Sequence, residues 1–210
     1  VHPREPWATG RDLFQSPFYQ REKELGGFFD NEIAGWERAY AYASNETKLG
    51  DYLAKVPVRE NEWDRRHVPY EIANAEHLAM SDHVGMINLS HFAIFDIEGP
   101  DAERLLETLA VARVGGSQPA GQVVYTNFLD PCGGVHADLT LCRLAENRYR
   151  VITGGADGNR DWVSIRNHRD DHGLDAAMTR RTHDFATLGF WGPKARTTLA
   201  RFVDPDSLSD

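Results

Sequence analysis

Cysteine is almost absent from this chain: Cys132 and Cys142 are the only two in 210 residues. One falls in a turn and one in an expected strand, so no disulfide framework is expected and a reducing, cytoplasmic compartment is the default. No apolar run approaches bilayer-spanning length, which leaves no membrane partner to expect. No signal peptide opens the chain. Its first residue is Val1 rather than Met, as expected of a segment excised or processed from something longer. Basic charge is scarce too, with 23 Lys and Arg against 32 Asp and Glu and a net charge of -9. That balance argues against a nucleic-acid partner, and an anionic ligand would need a locally basic pocket. The nine histidines form no ligand-spaced cluster. His168 and His172 sit four apart beside Asp170 and Asp171 and read as a polar helix end, so no metal is expected.

What is present is ordinary globular material, 41% hydrophobic and 26% charged, enough to bury a core as one large domain or two interlocked small ones. Residues 1–15 read as an arm or linker, and 16–210 as the folded domain. A short helix packed by Phe14, Phe18 and Tyr19 is expected between Leu13 and Phe29. Gly35 to Tyr40 reads as irregular, and Lys48 to Arg66 as a charged loop broken at Pro57. Tyr70 to His83 places Ile72, Ala75, Leu78 and Ala79 at helical spacing and ends at Gly85. Phe92 to Ile97 reads as a strand, and Pro100 begins a helix with Leu105, Leu106 and Leu109 facing its core. Strands follow at Gln122–Leu129, Val135–Leu144 and Arg148–Gly154, the last two joined as a hairpin through Ala145-Glu146-Asn147. Asp161 to Arg169 is helical, Phe185 to Trp191 a strand, and Gly192-Pro193 starts a helix carrying Ala195, Leu199 and Phe202.

One pattern repeats. Ile97-Glu98-Gly99-Pro100-Asp101-Ala102 resembles Phe190-Trp191-Gly192-Pro193-Lys194-Ala195, each a strand end, a Gly-Pro corner and an amphipathic helix. The echo points to duplicated α+β halves, antiparallel sheets with helices packed on them, rather than to a solenoid.

Among residues that could carry chemistry, Asp138 is the most informative. Alternation along its strand puts Val135, Ala137, Leu139 and Leu141 on one face and His136, Asp138, Thr140 and Cys142 on the other. A mid-strand carboxylate is poorly suited to a pleated surface, so it lies on a solvated sheet face or faces a pocket. The run Gly154 to Asn159 lacks both a P-loop ending and a dinucleotide fingerprint, and reads as a strand-to-helix turn capped by Asp157 or Asn159. Ser90, His91 and Asp96 suggest a hydrolase, but no Gly-x-Ser-x-Gly elbow exists and adjacency does not make a triad. Trp36 and Tyr125 read as core or pocket-wall aromatics.

Several segments together resemble the glycine-cleavage T-protein family. They are Val84-Gly85-Met86-Ile87-Asn88-Leu89-Ser90-His91-Phe92, then Gly121 to Leu129 followed by Gly133-Gly134-Val135-His136-Ala137-Asp138-Leu139, and Leu188 to Ala195, all in family order. Ser16-Pro17-Phe18-Tyr19 and Gly35-Trp36-Glu37-Arg38 bring it closest to the folate region of dimethylglycine and sarcosine dehydrogenases or oxidases. The resemblance implies a tetrahydrofolate-dependent aminomethyl or methyl transferase acting on a small methylamine or methyl donor, with FAD only if an upstream flavin domain exists. Asp138 then matches the catalytic carboxylate, and Tyr125 a pocket tyrosine beside the folate rings. Leu139, His91 and Phe92 would line the same cavity, and Thr153 stands where the family has a pterin-contacting Asn. Asn88 and Ala137 replace two family aspartates. The chain stops at Asp210, ahead of the family's pterin-clamping Glu, which implies truncation at the C-terminus. The implied alternatives are a folate-dependent O- or S-demethylase and a non-catalytic module with this fold.

Overall fold

A computed structural model describes residues 8–29, 31–57, 70–116 and 118–208. Val1–Leu89 together with Ala186–Asp210 forms one compact unit, and Ser90–Phe185 forms another. In chain order the first unit holds α1 (Tyr19–Glu24), β1 (Asn31–Ile33), β2 (Trp36–Arg38), α2 (Ser44–Lys48), α3 (Gly50–Leu53), α4 (Tyr70–Asp82) and β3 (Gly85–Asn88). The second holds β4 (Ala93–Glu98), α5 (Ala102–Leu109), β5 (Val123–Leu129), β6 (Val135–Ala145), β7 (Arg148–Thr153), α6 (Gly158–Asp171) and β8 (Ala177–Arg180). The chain then returns to the first unit with β9 (Leu188–Trp191) and α7 (Ala195–Leu199).

In the first unit β1 and β2 form a hairpin closed by Ala34 and Gly35, with φ of 53° and 86°. Two central residues at positive φ make the turn whose twist suits a two-residue hairpin, so Gly35 to Tyr40 is partly strand rather than irregular. The stretch expected as an arm is tied down from Arg11 onward. Arg11 donates to both carboxylate oxygens of buried Glu37 at 2.9 and 2.6 Å, and the Phe14 N–H donates to the Gly35 carbonyl at 2.8 Å. Glu37 is held below the usual carboxylate range chiefly by the Arg11 hydrogen bonds, against the effect of burial. The helix expected between Leu13 and Phe29 is confined to α1, because Phe14 is instead bridged to Trp36. The loop expected from Lys48 contains α3, and its later part, 58–66, lies outside the described residues. α4 stops at Asp82, three residues short of Gly85, which instead opens β3 and pairs with β9.

The second unit is built on an antiparallel sheet of order β5-β6-β7-β4-β8. Alternation on β6 is as expected from Ala137 onward: Ala137, Leu139 and Leu141 are buried, while His136, Asp138, Thr140 and Cys142 are half-buried or exposed. Val135, expected on the core face, is exposed at the strand end, where the register with β5 shifts. Leu139, Leu141, Phe95, Ile97, Val151 and Phe128 form one core with Leu105 and Leu106 of α5 and Ile165 of α6. Fully burying side chains of this size contributes roughly 1.5–3 kcal/mol each. Tyr149 joins this core at zero exposure, and its hydroxyl donates to Glu103 at 3.0 Å. Burial first, then that hydrogen bond, pushes the phenol up to about 12.

The two Gly-Pro corners have the same construction. Gly99 and Gly192 take φ of 147° and 114°, and Asp101 and Lys194 precede the helices with nearly equal dihedrals. Asp101 donates its N–H to the Asp175 carbonyl, and Lys194 donates to that of His83. In each corner the proline lies one residue ahead of the helix cap rather than inside the first turn. Two differences concern lengths: α7 stops at Leu199, which leaves Phe202 77% exposed, and the last strand begins at Leu188 rather than Phe185.

Candidate functional site

The sheet of the second unit carries an acid on an open face. Asp138 pairs across the ladder with Asn127, and two residues along β5 from Asn127 stands Tyr125, which therefore shares its face. The Tyr125 hydroxyl donates to Asp138 Oδ2 at 2.8 Å. Oδ1 accepts no hydrogen bond among the described residues. Tyr125 is 68% exposed, so of the two readings for this ring it is not core. The Asp138 hydrogen bond and negative charge raise its phenol above the ordinary value. Val123, on the same face, is also exposed, as are Leu129 and Val135 at the strand ends. Two residues before Asp138, His136 Nε2 is buried without a hydrogen-bond partner among the described residues.

Of the other residues tied to this site by resemblance, two point the wrong way. Leu139 pairs with Thr126 and Thr153, one position along from Asp138, so its side chain enters the core at 2% exposure. Thr153 shares that core-side face, and its hydroxyl donates to the fully buried carboxylate of Asp161 at 2.6 Å, tying β7 to α6. Neither side chain reaches a ligand on the Asp138 face. His91 is buried and Phe92 half-buried, their rings 4.9 Å apart, just ahead of β4. They stand two strands from Asp138, about 10 Å on strand spacing alone. Gly155 packs so closely on the His91 carbonyl that a Cβ would overlap it. The glycine-rich run is thus a tight strand-to-helix turn. Asp157 occupies the cap position, but its side chain makes no cap hydrogen bond and pairs with Arg160 at 3.1 Å instead.

The set-aside grouping of Ser90, His91 and Asp96 has another explanation. Asp96 accepts hydrogen bonds from Arg150 at 2.8 and 3.0 Å and from Arg148 at 3.4 Å. Burial alone would raise its carboxyl, but the hydrogen bonds and charge of Arg150 outweigh it and hold the group below the usual range. Sequence reading also missed the buried acids Glu22, Asp161 and the half-buried Glu76. For Glu76 a signal existed: Ile72, Ala75, Glu76 and Ala79 occupy i, i+3, i+4 and i+7, so an acid sits within an apolar helical stripe.

A duplicated strand–corner–helix element, antiparallel sheets and an acid on a Gly-Gly-led strand together define an α+β fold of the glycine-cleavage T-protein type. The chain belongs to the family of the GCVT N-terminal domain, whose model matches residues 18–210. It is 32% identical over 209 residues to a 4-methylaminobutanoate oxidase (formaldehyde-forming) of Paenarthrobacter nicotinovorans, a match covering 99% of this chain and 23% of the oxidase. It is 30% identical over 151 residues to an aminomethyltransferase of Herpetosiphon aurantiacus, covering 70% of this chain and 40% of that protein. Aminomethyltransferase T of the glycine cleavage system from Bartonella henselae has the same fold, with a TM-score of 0.67 and 23% identity over 90% of this chain and 44% of that one. The chain therefore spans less than half the length of each of these proteins. No helix among the described residues is long and apolar enough to cross a membrane.

Proposed function

We propose that this chain is the folate-binding region of an enzyme that passes a one-carbon unit from an N-methylated amine to tetrahydrofolate, with Asp138 at the reacting centre. The observation that carries the reading is the Asp138 carboxylate, fixed at one oxygen by Tyr125, with the other oxygen accepting no hydrogen bond among the described residues, on an open sheet face beside exposed Tyr125 and Val123. The family and the aminomethyltransferase and oxidase relatives support the reaction class. The oxidase supports an amine donor in particular, since its match extends over almost the whole chain. By the same token, a longer native protein would carry an amine-oxidising, FAD-containing region.

The residues present fit a reduced folate. Tyr125 and Val123 offer an aromatic and apolar surface against which flat rings can stack. His136 Nε2 is a buried polar atom in want of a partner. Tetrahydrofolate, when bound, supplies the nitrogen that accepts the one-carbon unit. Transfer from an amine develops positive charge, and the fixed Asp138 carboxylate stabilises it as it forms. The free Oδ1 can also hold a proton delivered to or taken from the reacting nitrogen. Tyr125 acts on Asp138 by orientation, holding Oδ2 so that Oδ1 faces outward. His91 and Phe92 stand two strands away, ahead of β4, and Leu139 and Thr153 support the site from the core side of the sheet.

The test is tetrahydrofolate binding by calorimetry together with one-carbon transfer in the full-length protein. Asp138→Asn keeps the shape and removes the charge, and is expected to lower the transfer rate by about a hundredfold while leaving folate binding within a few-fold. An unchanged rate removes Asp138 from the chemistry. Absence of folate binding by the full-length protein replaces the transferase with a non-catalytic module of this fold.

A further inference from the structure

The first unit contains a cavity of about 430 Å³ lined from α2, α4 and β3, within the range of small-ligand sites. Leu49, Ala79, Met80, Met86 and Ile87 make its walls largely apolar, and Glu76 is the acid among them. Glu76 Oε1 accepts from Asn45 Nδ2 at 2.8 Å and from the Tyr42 N–H at 3.0 Å. Among the described residues Oε2 accepts no hydrogen bond and no Lys or Arg lines the cavity; His77 is the titratable nitrogen base there. The neighbouring acid differs in this respect: Glu22 takes the Tyr42 hydroxyl at 2.8 Å on one oxygen and Asn88 Nδ2 at 3.0 Å on the other.

We propose that this cavity is a second binding site, for a small alkylammonium ion, with Glu76 Oε2 as its anionic anchor. A carboxylate in apolar surroundings without a cation is costly, and the remedy is a partner that brings both positive charge and an N–H donor. The alkyl chain of such an ion fills the walls, where the two methionine side chains adapt to its shape. Burial pushes the Glu76 carboxyl up, against the two hydrogen bonds it accepts, so a bound cation relieves that penalty. A phosphate or carboxylate ligand is excluded by the same acid. The site lies wholly in the first unit and does not depend on the folate reading; either can fail without the other.

Methionine-methyl NMR reads the site directly. Of the three methionines in the chain, Met80 and Met86 line the cavity, whereas Met178 packs against the core of the second unit and serves as the control. Titrating n-butylammonium chloride is expected to shift Met80 and Met86 saturably and leave Met178 in place. Butan-1-ol, of matching shape but neutral, is expected to bind about tenfold more weakly, the difference between a charge-assisted and a neutral hydrogen bond. Glu76→Gln retains the acceptor for Asn45 and Tyr42 and is expected to bring the two ligands within about twofold of each other. Ala79→Leu fills the cavity and is expected to abolish both. Equal binding of the two ligands to the wild type, no saturable shift at Met80 and Met86, or an unchanged preference in Glu76→Gln each overturns the proposal. Should Glu76→Gln fail to fold, the wild-type preference together with Ala79→Leu decides.

Discussion

Replacing Arg150 by Leu isolates one buried ion pair of the second unit. Asp96 is 5% exposed and takes both of its short hydrogen bonds from Arg150. Without them its remaining partner is Arg148 at 3.4 Å, whose side chain is 44% exposed and screened by water. Leaving one member of a buried pair uncompensated costs about 3–5 kcal/mol. Arg150 is itself 20% exposed and Arg148 stays, which places the expected loss near 2–3 kcal/mol. For a chain of this size that is a fall in Tm of roughly 5–10 °C. The dependence on pH discriminates further. In the wild type the Asp96 carboxyl is lowered, so its contribution is present above the ordinary carboxylate value near 3.9 and is lost as pH falls through the folded value. In Arg150→Leu burial dominates, the folded value rises, and protonation relieves the variant as the solution is acidified. The deficit is therefore widest near pH 7, begins to narrow as pH falls through the variant's raised value, and narrows further through the wild type's lowered one. Urea and thermal unfolding of both proteins across this range measure it. Asp96→Leu combined with Arg150→Leu removes both charges and is expected to recover most of the loss. A deficit below about 1 kcal/mol, or one constant with pH, refutes the assignment of Asp96 as a carboxylate stabilised mainly by Arg150.

Three further outcomes follow from the same geometry. Thr153→Val removes a 2.6 Å donor from the fully buried Asp161 and should cost about 1.5–3 kcal/mol in urea unfolding; a loss within experimental error would mean that Arg160 alone satisfies that acid. Gly99→Ala meets both a φ of 147° and the Asp175 carbonyl at 2.5 Å, whereas Gly173→Ala has a φ of 58° and open space. The first should therefore be clearly the more destabilising, the second costing about 1 kcal/mol, and equal losses would deny the close approach at the corner. In Asp138→Asn the Tyr125 phenol should titrate lower than in the wild type, as followed by tyrosine NMR, because the negative acceptor that raises it is gone; an unmoved titration would separate the two side chains in solution.

The parts of the fold that could be read from the chain are those in which one period runs long enough to dominate. The 13-residue α4 and the 11-residue β6 both qualify, and the alternation on β6 put Asp138 on the side away from the core, whereas Tyr125, on β5, was tied to it only through the family resemblance. The four-residue β3 carries no such signal, and its partner β9 lies about a hundred residues away. Likewise β8, Ala-Met-Thr-Arg, is mostly exposed and lacks an apolar pattern. The hairpin at Ala34-Gly35 was missed because a non-glycine residue takes the first positive φ. At the site itself, resemblance grouped Leu139 and Thr153 with Asp138, while the pleat of the strand already sends their side chains to the opposite face. Apart from Glu76, whose place in an apolar helical stripe was a signal, the buried acids could not be inferred from spacing alone, because what stabilises each is a partner distant in sequence, such as Arg11 for Glu37 or Asn88 for Glu22.

The first unit is made from two separated pieces of chain, with residues 90–185 between them, and the seam is closed by β3 against β9 and by the Leu89 N–H on the Thr187 carbonyl. A ribosome releases these pieces in order. The first piece must wait, its β3 edge unpaired, until the whole intervening unit has emerged, and that unit can assemble its own five-stranded sheet in the meantime. Assembly during synthesis therefore runs from the middle outward, and a pause placed once residue 185 has cleared the ribosome, but before β9 has, would hold the nascent chain with a finished second unit and an unfinished first.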